Sequence, residues 1–195
     1  YDILSEDPYL INDSCLVNNL GFKDTASLNE AESALTKITM AELVREPVVT
    51  TWDLAHLKEI HRRIFEDVYP FAGKTRVCEI AKGDKLFLPH QQIEEKANEV
   101  FSWLVKEDLF QGLSAESFGQ KAGFFMAQVN VIHPFREGNG RAQRILFEHI
   151  CINCNYNLNF FGVTVKEWID ANILGYHCDY SAMEIIFEKS VAAIE

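Results

Sequence analysis

Apolar residues recur along this chain with helical spacing, in one stretch after another. Leu28, Ala31, Leu35, Ile38 and Leu43 form a stripe that predicts a helix over 27–45, ended by Pro47 and the β-branched residues after it. Leu54, Leu57, Ile60, Ile64 and Phe65 predict a second over 52–66, and Ile93, Ala97, Val100, Phe101 and Leu104 a third over 91–106. Ser114 is a suitable N-cap for a helix over 115–131, where Phe118, Ala122, Phe125, Met126 and Val129 keep the period. Its strongly apolar side marks it as central. Ile145, Leu146, Ile150 and Cys151 place the next over 140–152, broken by Asn153, Asn155 and Asn157. Thr164 with Glu167, and Ser181 with Glu184, have the spacing of capping boxes, for helices over 165–176 and from 181 to about 194. Only 75–88 reads as two short strands, turning at Lys82-Gly83-Asp84. In 1–25, Pro8, Asn12, Asp13, Asn18, Asn19 and Gly21 suggest short helical pieces and turns. The expectation is a mainly α fold with one β-hairpin, in a single domain spanning 1–195 whose first fifty residues form a helical N-terminal region.

Composition narrows the function. The chain has 195 residues and a formal net charge of −11, so it lacks the basic stripe that nucleic acid demands. No apolar run approaches the ~18 residues of a membrane span. No signal peptide is visible, but the chain starts at Tyr1 and upstream sequence is left open; a cytoplasmic location, or delivery into a host cell, is the expectation. The odd count of five cysteines suggests reduced thiols rather than a disulfide framework. His149, Cys151 and Cys154 tempt a zinc reading, but there is no clear fourth ligand and the cysteines fall at helical spacing with Phe147 and Ile150; core packing is the expectation. His61, beside the stripe of its helix, reads as a packing histidine.

The chemistry concentrates in residues 133–144, His-Pro-Phe-Arg-Glu-Gly-Asn-Gly-Arg-Ala-Gln-Arg. His133 is a candidate general base, because imidazole titrates near neutrality. Glu137 offers the hard oxygen that Mg²⁺ prefers, with substrate phosphate completing the shell. Gly138, Asn139 and Gly140 can turn successive backbone N–H groups towards an anion, and a helix beginning there adds its positive end. Arg141 and Arg144 lie three apart on that helix and suit polyphosphate, since guanidinium donates two parallel charged hydrogen bonds. These parts point to metal-assisted transfer from a nucleoside triphosphate.

The run resembles the signature of the Fic family, HPFx(D/E)GNGRxxR, and matches it at every defined position. Tyr69-Pro70-Phe71-Ala72-Gly73 resembles the turn that the family places before its hairpin. The resemblance implies a Fic-type helical bundle, with 115–152 as the core helices carrying the motif and the hairpin at 75–88 as a flap over the active site. It implies a protein adenylyltransferase: ATP as co-substrate, Mg²⁺ as cofactor on Glu137, and AMP transferred to a Ser, Thr or Tyr hydroxyl of a target protein activated by His133. Gly140 favours AMP transfer, because in the related death-on-curing kinases a Lys stands at that glycine and the nucleotide binds in the opposite sense. The flap would pair with an extended target segment, with Lys82 and Phe87 as candidate contacts. Asn172 and Tyr180 are candidates for the adenine pocket.

Many Fic proteins carry an inhibitory helix, (S/T)xxxE(G/N), whose Glu pairs with the second motif arginine. Only Thr75 and Glu79 have its spacing here, and Ile80 follows. Either a separate small antitoxin supplies that Glu, which is the favoured expectation for a partner, or the inhibitory helix lies in sequence before Tyr1. The alternatives are transfer of another phosphate-linked group, such as phosphocholine, and an inactive interaction module.

Overall fold

The computed structural model describes residues 7–11 and 14–194, with the backbone alone at 2–3. The turn cues Asn12 and Asp13 lie outside the described residues. Three short strands, β1 (Asp2–Ile3), β2 (Leu10–Ile11) and β3 (Cys15–Leu16), stand where helical pieces were expected. β2 and β3 pair antiparallel, Leu10 opposite Leu16 and Ile11 opposite Cys15. The connection after β3 is folded by Asn18, whose amide donates to the Leu16 and Phe22 carbonyls and accepts from the Phe22 N–H.

The helices follow: α1 (Thr25–Arg45), α2 (Leu54–Phe65), α3 (Ile93–Lys106), α4 (Ala115–Ile132), α5 (Asn139–Asn153), α6 (Val165–Tyr176) and α7 (Ser181–Ser190). Asp24, Asp53, Ser114 and Thr164 cap α1, α2, α4 and α6 by accepting from a backbone N–H three residues on. Each cap satisfies a donor the helix itself cannot, for about 1 kcal/mol. The box of Thr164 and Glu167 is complete. That of Ser181 and Glu184 is absent: Tyr180 occupies the cap position, and Asp179 accepts from the Ser181 N–H and hydroxyl instead.

α4 is central as its sequence implies. Phe118, Ala122, Phe125, Met126 and Val129 are all buried, and an aromatic cluster of Phe101, Phe110, Phe118, Phe125, Phe147 and Phe187 closes around them. α7 packs against α4 through Gly119 and Gly123, where a Cβ would lie 2.6–2.9 Å from α7 atoms of Glu184 and Glu188. α7 ends at Ser190, short of the expected 194. Residues Val191–Ala193 form β7, antiparallel to β6 (Tyr156–Leu158). β-Branched Val191 suits a strand, and its partner strand, not its neighbours in sequence, decides the state.

The largest correction concerns α1. Leu35 and Ile38, expected inside, are 37% and 63% exposed, whereas Glu32 and Thr36 are buried at 6% and 2%. The inner face is Leu28, Glu32, Thr36 and Leu43. It turns polar groups inward because they meet buried partners there.

The hairpin is present as β4 (Ile80–Lys82) and β5 (Lys85–Leu86), turning at Gly83 and Asp84. β1 pairs with β4, making a three-stranded sheet in the order β1-β4-β5. One edge of the flap is thus already occupied, and the edge available to another chain is that of β5.

Candidate active site

The motif joins the C-terminal end of α4 to the N-terminal end of α5. His133 ends α4 in the left-handed region, at φ 46° and ψ 63°. That conformation is uncommon for a residue with a Cβ and persists only where surroundings enforce it. The enforcement is visible in the last four carbonyls of α4, which no helical N–H can reach. Val129 accepts from the His133 N–H (3.2 Å) and from Gln143 (3.4 Å). Asn130 accepts from the imidazole Nδ1 of His133 at 2.9 Å. Val131 accepts from the Leu88 N–H of the flap at 3.0 Å, and Ile132 from the Arg76 guanidinium at 3.3 Å.

This arrangement fixes the tautomer. A carbonyl only accepts, so Nδ1 carries the hydrogen and Nε2 carries the lone pair. The Phe87 ring stacks on the imidazole with centroids 3.8 Å apart. Burial drives the His133 pKa down to about 3, with the cations Arg76 and Lys82 acting in the same direction. His133 is thus neutral at working pH, with its base nitrogen unprotonated. Lys82 itself is exposed near the flap tip.

The loop is closed by its own amide. The Asn139 side chain accepts from the Phe135 N–H (2.9 Å) and donates to the Phe135 carbonyl (2.7 Å). The cradle was expected from backbone N–H groups, which the Asn139 side chain does not use; of those, the Gly138 N–H is donated to Glu137 Oε1 at 2.9 Å. Gly138, at φ 78°, is the N-cap of α5. Gly140 is exposed in the first turn of α5, and among the described residues nothing outside that turn lies within 4 Å of an ideal Cβ, so this side of the turn is open.

His61, expected to pack, also clamps. Its Nδ1 accepts from the Gly73 N–H (2.8 Å) and its Nε2 donates to the Glu137 carbonyl (2.9 Å), while its ring stacks on Phe135 at 3.8 Å. Burial lowers its pKa to about 4. Glu137 is thereby oriented from behind. Its carboxylate Oε1 accepts from the Gly138 N–H at 2.9 Å and lies 3.5 Å from Arg141. A half-exposed carboxylate whose contacts use one oxygen fits a hard divalent cation at the other.

The two arginines part company. Arg141 reaches back to α1, pairing with Glu32 at 2.5 Å and lying over the Phe65 ring at 4.7 Å. Glu32 also accepts from the Tyr69 hydroxyl. These two partners escaped the sequence reading: a buried carboxylate 109 residues away leaves no local signal, although Tyr69 begins the quoted turn. Arg144 is exposed, 5.7 Å from the Phe160 ring, and makes no ion pair among the described residues. Arg136 forms a buried ion pair with Asp7 at 2.8 Å, tying the N-terminal segment to the motif.

Asn172 donates to the Trp168 carbonyl of its own helix at 2.7 Å, which uses one of the two N–H donors of its amide. Tyr180 accepts from Gln128 of α4 at 3.2 Å and meets the Phe124 ring edge-on. His149, Cys151 and Cys154 diverge. His149 accepts from His56 (3.0 Å) and donates to the Leu43 carbonyl, Cys151 is fully buried, and the Cys154 thiol donates to the Leu109 carbonyl.

Burial lowers the pKa of His56, His61, His133 and His149 alike. Below pH 6.5 the unfolded chain takes up protons that the folded imidazoles refuse. Their stabilisation is therefore complete above that pH and declines as pH falls through it; for His56 and His61, held near 4, and His133, held near 3, the loss is about 1.4 kcal/mol per pH unit for each as pH falls towards 4. Carboxylates held low in the fold act only below about pH 4.5, so melting temperatures should already drop between pH 7 and 5. A flat profile over that interval would show that these histidines are not buried neutral.

The model of the Fic/DOC family matches residues 51–151. Over 188 residues the chain is 36% identical to "Protein adenylyltransferase VbhT" of Bartonella schoenbuchensis, covering 96% of this chain and 39% of that protein. It is 34% identical to "Probable protein adenylyltransferase Fic" of Salmonella typhimurium, covering 95% and 92%. The N-terminal Fic domain of a VirB-translocated Bep effector protein from Bartonella quintana, solved with bound ADP, superposes with a TM-score of 0.87 at 25% identity, covering 96% of this chain and 95% of that one. The chain thus spans about two fifths of VbhT and nearly all of the Salmonella protein. Helical bundle, flap, motif and relatives agree, and the chain belongs to the Fic/DOC family.

Proposed function

We propose that the chain is a protein adenylyltransferase that moves AMP from ATP to a hydroxyl group of a target protein. The observation that carries this reading is the pinned tautomer of His133, which presents Nε2 as a proton acceptor beside the helix end suited to a polyphosphate. The target hydroxyl gives its proton to Nε2, and its oxygen bonds to the α-phosphorus. The bond from that phosphorus to the bridging oxygen breaks, and pyrophosphate leaves. The anionic triphosphate raises the proton affinity of the nearby imidazole, offsetting the low pKa that burial imposes. The N–H groups opening α5, with Arg141 and Arg144, hold the departing phosphates. Glu137 is the residue that would hold Mg²⁺, which neutralises phosphate charge when bound. Asn172 and Tyr180 serve the adenine end. The target segment pairs with the β5 edge of the flap, beside Lys82 and Phe87.

With Mg²⁺, a cell lysate as source of targets and α-labelled ATP, label should enter protein. Label entering only from γ-labelled ATP would make the chain a kinase instead. The exposed, unpaired state of Arg144 among the described residues favours regulation by a small partner protein whose glutamate competes with the γ-phosphate there. In the same assay such a partner lowers incorporation by the wild type, whereas Arg144→Ala, slower by itself for want of a phosphate contact, is not lowered further by the partner.

A further inference from the structure

The candidate base and the flap share a support to which the chemistry above gives no part. Arg76 lies in the segment entering the flap, and its side chain is fully buried. Its guanidinium donates to four backbone carbonyls: Nε to His133 at 2.9 Å, Nη1 to Cys78 at 2.8 Å, and Nη2 to Leu88 and, at 3.3 Å, to Ile132. Its own N–H donates to Pro134 at 2.8 Å. Three successive carbonyls, 132 to 134, thus end on one residue. The other two acceptors, Cys78 and Leu88, stand at the foot of each flap strand.

Burying a cation is costly, and the fold accepts that cost here. The left-handed turn of His133 strips these carbonyls of helical partners, and each would otherwise be buried unpaired. The guanidinium answers several at once because its donors fan out in a plane, which an ammonium cannot do. It also sets a positive charge against the negative end of α4. Glu79, 3.6 Å away and bonded to His90, completes the surroundings.

We infer that Arg76 is a positioning residue for the transfer proposed above, locking the left-handed turn of His133 and both legs of the flap into one unit. The base nitrogen and the strand that aligns the target then hold a fixed relation. A flap free to move separately would deliver the hydroxyl without regard to Nε2.

Arg76→Lys tests this, with target transfer and ATP affinity measured on the same preparation. A misplacement of about 1 Å lowers kcat on the order of a hundredfold, while KM for ATP stays within about twofold because the phosphate-holding groups are on α5. A lower melting temperature with unchanged kcat per folded molecule leaves Arg76 a structural part only and overturns the inference. Should the variant not fold, wild-type hydrogen exchange decides. The amides of Arg76, Leu88 and His133 bond to Pro134, Val131 and Val129, and one unit requires them to open together. A Leu88 amide exchanging more than about tenfold faster than that of His133 overturns it as well. Failure here is distinguishable from failure of the transfer itself: an inactive wild type refutes AMP transfer, whereas an active wild type matched by Arg76→Lys refutes only the positioning.

Discussion

Replacing His133 should abolish transfer and spare nucleotide binding. A positioned general base contributes roughly 10²- to 10⁴-fold, so kcat should fall by that factor. Two variants separate chemistry from fold. His133→Ala removes the base but also leaves Asn130 without its donor and puts alanine in the left-handed region. His133→Asn suits the backbone better, since asparagine tolerates positive φ, and its amide cannot serve as a base. Both variants should be inactive, and the asparagine variant should melt closer to wild type. ATP affinity should remain within about threefold in each, because phosphates are held by the α5 end and its arginines. If His133→Asn transferred AMP at the wild-type rate, the base assignment would be wrong. If ATP binding collapsed with activity, His133 would be holding the nucleotide site rather than the proton.

The helices were legible because each buries an apolar stripe against α4 or its neighbours, and period alone reveals such a stripe. α1 misleads for the complementary reason. Its inner face carries Glu32 and Thr36, which are buried only because Arg141 and Tyr69 await them. Polarity at those positions reads as solvent exposure until the partner is known. The strands at the two ends of the chain are two or three residues long, too short to show alternation. Their state is decided by the strand opposite.

The motif is legible because the residues that surround a phosphate and a proton must sit close in sequence when one helix turn carries them. Its supports are not. His61 reaches Glu137 across 76 positions, and Arg76 reaches His133 across 57. Each is an ordinary residue on a helix face or strand entry until the chain folds back. A faint signal did exist: both flank the Tyr69–Gly73 turn, and Gly73 is the residue that His61 holds. The split between Arg141 and Arg144 was also hidden. Helical spacing places them on one face, but α1 captures only the first.

Gly138 and Gly140 belong to one motif and should fail in opposite ways. At Gly138 the backbone is left-handed, and a Cβ would lie 2.3 Å from two ring atoms of Phe65, itself fully buried in the core. Strain and overpacking together should cost Gly138→Ala about 2–5 kcal/mol of stability. For a chain of this size that lowers the melting temperature by about 5–15 °C. Displacing Phe65 also disturbs the ring beneath Arg141 and the His61 ring beside it, so activity should fall with the fold. At Gly140 nothing lies within 4 Å of the added Cβ, and the residue is in the first turn of α5. Alanine is the better helix former, so Gly140→Ala should melt at or slightly above the wild-type temperature. Its methyl group instead projects from the first turn of α5, the end proposed to hold the phosphates. ATP binding should therefore weaken in a protein that is otherwise intact. Calorimetric melting and ATP titration of the pair give four numbers. A stable Gly138→Ala would mean that Phe65 yields easily and the turn is not strained. A Gly140→Ala that binds ATP as tightly as wild type would remove the phosphates from the N-terminal end of α5.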